Sequence, residues 1–144
     1  MTVENKTATV TVNAAFLQEI KEVDEELWEL LQRANSLCGA PRQVRHHGRR
    51  VVEVLSDLRD HLGMHFALEE AYGYCEDPVH VPPELNVVAG ELRGEHQKLF
   101  MLVRDLVDQV DDLYRQRLLA QNSARVVKGF RAFYNRFLQH EKRE

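Results

Sequence analysis

Four stretches of this chain place apolar residues three or four positions apart, and that spacing restricts the fold more than anything else in the sequence. A helix completes a turn in about 3.6 residues, so side chains at these separations share one face. The first stretch carries Phe16, Ile20, Val23, Leu27, Leu30, Leu31 and Ala34. The second carries Val44, His47, Val51, Leu55, Leu58, Leu62, His65 and Glu69. The third runs Leu85, Val88, Leu92, His96, Leu99, Val103, Leu106, Val110 and Leu113. The fourth runs Val126, Val127, Phe130, Phe133, Phe137, His140 and Glu144. Gly39 and Pro41 stop the first helix, and Pro41 or Arg42 opens a second that reaches Tyr72-Gly73. The segment from Cys75 to Pro83 holds Pro78, Pro82 and Pro83 and reads as a loop. A third helix begins at Pro83 or Glu84 and extends towards Leu119, and Asn122 or Ser123 caps the fourth. Asn13 is placed to cap the first. Four long amphipathic helices with short connections predict an all-α fold: an antiparallel up-down-up-down four-helix bundle over 14–144, preceded by an N-terminal arm over 1–13.

Composition agrees with this reading. A chain of 144 residues suits one domain, and 44% hydrophobic residues suffice for a core. Glycine (7) and proline (4) are too scarce for a many-turned β fold. A formal net charge of -4 argues against a nonspecific nucleic-acid partner, which needs a basic face. No apolar run approaches the ~18 residues of a membrane span, and Met1 to Asn13 contain no apolar signal-peptide segment. Cys38 and Cys75 are far apart and belong to no CxxC motif. The expected location is therefore the reducing cytoplasm.

The chemistry resides in the polar residues that keep step with the apolar stripes. His65 and Glu69 lie four apart and extend the second stripe; His140 and Glu144 do the same for the fourth. His96 interrupts the third. Three helices thus aim imidazole or carboxylate at the interior. Buried carboxylates are costly unless paired or bound to a cation. Imidazole suits first-row metals, and a carboxylate can bridge two of them. A pair of metal ions is the expected occupant. His61, one turn before His65 on the same face, is a candidate for an extra ligand or for a hydrogen-bond partner of the ligands. His46, His47 and His80 read as surface or boundary residues, and Trp28 as a partly packed residue at the bundle edge.

In combination these motifs resemble the hemerythrin family, in its HHE cation-binding branch. The run His65-Phe66-Ala67-Leu68-Glu69-Glu70 is similar to the family's HFxxEE. Tyr72-Gly73-Tyr74 is similar to the YGY that follows it, Glu95-His96-Gln97-Lys98-Leu99 to EHxxL, and His140 to Glu144 to the last HxxxE. On the first helix the family's histidine is replaced by Asp24, which is in phase with Ile20, Leu27 and Leu31. The resemblance implies a di-iron centre in which Asp24 and His65 hold one ion, His96 and His140 the other, and Glu69 and Glu144 bridge. Leu92 stands where oxygen-carrying members have a second histidine on the third helix. The resulting set is rich in carboxylates, which disfavours reversible oxygen carriage and favours redox or iron-handling chemistry.

Three functions are compatible with these residues. The first is a hemerythrin-like di-iron protein that binds or senses a small ligand such as oxygen, nitric oxide or peroxide, or that handles iron. The second is a carboxylate-rich oxidase or peroxidase. The third is a non-catalytic helical interaction module, such as a homodimer, whose His and Glu residues form polar networks. Fold alone does not separate them.

Overall fold

The apolar stripes are realised as helices. The computed structural model describes residues 22–72 and 83–143. Within them, α1 covers 22–38, α2 Pro41–His46, α3 Gly48–Tyr72, α4 Pro83–Arg115 and α5 Ser123–Arg143; a 3-10 turn, Ala120–Asn122, leads into α5. No strand occurs among the described residues. The arm over 1–13, the cap assigned to Asn13, the loop over 75–82 and Glu144 lie outside them.

All five helices contribute to one hydrophobic core. It contains Leu27, Leu31 and Ala34 of α1, Val44 of α2, Val51, Leu55, Leu58 and Leu62 of α3, Leu99, Val103 and Val110 of α4, and Phe130, Phe133 and Phe137 of α5. Helix α3 packs on α4, α4 on α5, and α2 on α5. The three phenylalanines are the largest fully buried side chains. Truncating a buried phenylalanine to alanine costs about 3–5 kcal/mol, so this column carries much of the core's stabilisation. Trp28 is 38% exposed and meets Phe137 edge-on at 5.8 Å, the partial packing expected of it. Cys38 is fully buried. Burial pushes its thiol up to about 12, so it stays protonated and unreactive at neutral pH. No helix among the described residues is long and apolar enough to cross a membrane.

The helix boundaries depart from the sequence reading in two places. The expected second helix is broken at His47, which leaves helical geometry at φ -128°, ψ 38°. Gly48 follows, and a Cβ there would lie 3.0 Å from the Leu119 side chain and 3.3 Å from the Tyr114 ring. The bend and the missing side chain let the α4–α5 connection settle against the start of α3. The expected third helix ends at Arg115, short of Leu119. Arg117 adopts a left-handed φ of 60°. Its N–H bonds to the Tyr114 carbonyl, and the Leu118 N–H bonds to the Leu113 carbonyl at 2.8 Å. These two bonds form a Schellman motif that usually employs glycine. Arginine in that position hides the stop signal from a reading of sequence.

At the turn from α1 to α2, a Cβ on Gly39 would lie 2.4 Å from the Asn35 carbonyl oxygen, so glycine is required there. Arg131 of α5 donates to the Gly39 carbonyl at 2.7 Å, and Arg45 of α2 donates to the Ser123 hydroxyl at 3.3 Å. Both bonds fasten the apolar end of the molecule to α5.

Candidate metal centre

The stripes that build the core continue into a polar end. On α5 the series Phe130, Phe133, Phe137 reaches His140; on α4 the series Val110, Leu106, Val103, Leu99 reaches His96; on α3 the series Leu55, Leu58, Leu62 reaches His65 and then Glu69. His65, His96 and His140 are 3%, 2% and 1% exposed. Apolar packing on the same faces therefore fixes where the three imidazoles meet.

Two groups of candidate ligand atoms result, each within 4.8 Å: Glu69, His96 and His140 in one, and His65, Glu69 and Glu141 in the other. Glu69 belongs to both. Its Oε1 contacts His65 Nε2, while its Oε2 lies 3.6 Å from His96 Nε2. Glu141 Oε1 is 3.6 Å from His65 Nε2. The His96 and His140 ring centroids are 4.7 Å apart, and Phe66 stacks on His96 at 4.0 Å with the planes 10° apart.

The outer edges of the imidazoles show a second regularity. Asp24 Oδ1 lies 2.5 Å from His65 Nδ1, Glu95 Oε2 lies 2.6 Å from His140 Nδ1, and Glu70 Oε1 lies 3.5 Å from His96 Nδ1. Every Nδ1 thus faces a peripheral carboxylate, while Nε2 of His65 and of His96 faces the inner pair, Glu69 or Glu141. A carboxylate on Nδ1 orients an imidazole and raises the basicity of Nε2, the arrangement found behind metal-bound histidines.

The electrostatics of His65 register this crowding. Burial alone would lower its pKa; the carboxylates of Glu141, Glu69 and Asp24 outweigh burial and push it up to about 10. Neither ring nitrogen of His65 makes a hydrogen bond, although carboxylate oxygens lie against both, and Glu141 Oε1 makes none either. These buried donors and acceptors are close but poorly aligned for one another. A cation on the inner side, among His65, Glu69 and Glu141, would offset the carboxylates crowded there, so the residues present fit a metal ion.

Of the residues expected at the centre, His65, Glu69, His96 and His140 converge. Asp24 also arrives, but on the outer Nδ1 side of His65 and in neither ligand group. Its side chain is 37% exposed, so it is placed to orient His65 rather than to share its inner face. His61 is outside the cluster: its Nδ1 bonds the Asp57 carbonyl at 3.0 Å and its Nε2 pairs with Glu26 at 2.9 Å. One helical turn separates His61 from His65, and at that level the neighbouring α1 residue is Glu26. Glu144 lies outside the described residues. Three participants escaped the sequence reading: Glu141, Glu95 and Glu70. Each adjoins a recognised residue in the chain, at about 100° around its helix, and so flanks the inward face. The mirrored pairs Glu95-His96 and His140-Glu141 were the available signal.

No protein-family model, curated protein or solved structure matches this chain.

Proposed function

We propose that this protein is a hemerythrin-like, di-metal protein of the HHE type. Its helices would form an antiparallel up-down-up-down four-helix bundle whose polar end holds a pair of iron ions. The observation that supports this reading best is the position of Glu69, whose two oxygens turn to two different buried imidazoles. A carboxylate so placed suits a bridge between two ions. Nε2 of His65 with Glu141 would hold one ion, and His96 with His140 the other. Asp24, Glu70 and Glu95 would orient the imidazoles through Nδ1. Bound iron would supply open coordination positions for a small ligand such as oxygen, nitric oxide or peroxide. The side chains bind and orient the ions, and Phe66 and Phe137 shield one flank from water.

The peripheral carboxylates give one reason to keep the oxidase or peroxidase reading as the alternative. Carboxylate-backed imidazoles are stronger donors and stabilise a higher-valent metal pair. Turnover with peroxide and a reductant would favour it over simple ligand binding.

The deciding experiment is elemental analysis with an ultraviolet–visible spectrum after anaerobic ferrous reconstitution. A pair of irons per chain and oxo-bridge absorption in the near ultraviolet are expected. The substitution Glu141→Gln should weaken retention of one ion by about 10- to 100-fold against a chelator. Failure of the parent chain to retain any transition metal would overturn the reading and leave a helical interaction module. Unchanged retention in Glu141→Gln would remove Glu141 from the ligand set.

A further inference from the structure

The two groups of ligand atoms share Glu69 and otherwise differ in kind. Glu69, His96 and His140 offer two imidazole nitrogens and one carboxylate oxygen. His65, Glu69 and Glu141 offer one nitrogen and two oxygens. A further carboxylate bridging both ions, the role expected of Glu144, would add one oxygen to each group and leave the difference unchanged.

Charge does not separate the two groups. Among the described residues, Glu69, Glu141 and Asp24 stand around His65. Glu69, Glu70 and Glu95 stand around His96 and His140. What differs is where the carboxylates point. Glu70 and Glu95 meet the outer Nδ1 edges of His96 and His140, at 3.5 Å and 2.6 Å. There they strengthen the imidazoles as donors without adding an oxygen to the ligand group. Glu141 instead turns inward, its Oε1 3.6 Å from His65 Nε2. The chain order sets this up: Glu95 precedes His96 on α4 and reaches back to His140, while Glu141 follows His140 on α5 and reaches across to His65. The nitrogen-rich group is also the drier one. The His96 and His140 side chains are 3% and 0% exposed, against 23% for Glu141.

Donor type sorts metal ions. Imidazole suits zinc, ferrous iron and later first-row ions, whereas carboxylate and water suit manganese. We propose that the two positions select different ions: a nitrogen-preferring ion such as zinc or ferrous iron at His96 and His140, and a harder manganous ion at His65 and Glu141. The chain then assembles a mixed pair whenever both kinds are offered, and fills both positions with iron when iron is offered alone. This rests on the di-metal reading above.

The test uses zinc and manganese, because zinc has no redox chemistry to complicate loading. Metal-free protein is equilibrated with one equivalent of each ion, in both orders of addition. Native mass spectrometry then counts chains that carry two zincs, two manganese ions, or one of each. If the zinc-over-manganese preference differs about hundredfold between the positions, roughly four-fifths of the doubly loaded chains carry one of each, against about half for positions that do not discriminate. Glu141→His exchanges an oxygen for a nitrogen at a partly exposed side chain. It should make the positions alike and return the mixed pair to about half of the loaded chains. A random distribution in the parent would overturn the proposal, and so would sorting by Glu141→His as sharp as the parent's. The parent result needs no variant, so misfolding of Glu141→His leaves the test intact. If the parent retains neither of these ions nor iron, the di-metal reading itself fails, a result distinct from both.

Discussion

At the scale of single residues, the three buried histidines divide their nitrogens between two tasks. Nδ1 faces a carboxylate at the rim, and the opposite edge of the ring faces the interior. This division explains why Asp24 was legible as a participant but not in its role. Phase with Ile20, Leu27 and Leu31 predicts only that it faces inward; the packing of α1 on α3 decides that it meets His65 at the Nδ1 edge. Protonation of His65 follows from the same surroundings. Its pKa rises from 6.5 to about 10 in the folded chain, so the metal-free native state holds a proton that the unfolded chain releases. The stabilisation is complete below pH 6.5 and is lost as pH climbs through about 10. Metal-free protein should therefore unfold at lower urea concentration at pH 9 than at pH 7, and His65→Gln should flatten that dependence. Metal binding at the proposed centre would have the opposite trend, because an ion displaces the proton and its affinity would grow with pH.

At the scale of elements, helix identity was readable from periodicity alone, whereas helix ends were not. Apolar spacing marks a face, and that face does persist through α3, α4 and α5. Ends are set by backbone geometry that a side chain need not advertise. Arg117 is the clearest instance, holding a left-handed conformation that a Schellman stop ordinarily assigns to glycine. A non-glycine residue in that region is strained by about 1–2 kcal/mol, so Arg117→Gly should raise stability by about 1 kcal/mol. Chemical denaturation of the parent and the variant, with unchanged slope, measures it. His47 is the complementary case: its place in the apolar stripe suggested continuity, but the close approach of Leu119 and Tyr114 to Gly48 bends the chain there.

At the scale of the whole molecule, the core is asymmetric. One end is dry, filled by Phe130, Phe133, Val44 and Val110, and fastened by Arg131 and Arg45 to neighbouring helices. The other end gathers His65, His96, His140 and their carboxylates. The sequence contained part of this division, since His65 and His140 lie near the limits of their apolar stripes, whereas His96 interrupts the third. What it could not convey was which flanking glutamates the helices rotate inward. Cys38 sits at the dry end, fully buried and with its thiol held at about 12. It is consequently a built-in timer for opening of the apolar half. An alkylating reagent can reach this sulfur only when α1 lifts away, so the labelling rate of the Cys38 peptide, read by mass spectrometry, counts those excursions. In metal-loaded protein, chelation should hasten the count only as far as the two ends open together. Equal labelling with and without metal would mean that the dry half keeps its own time.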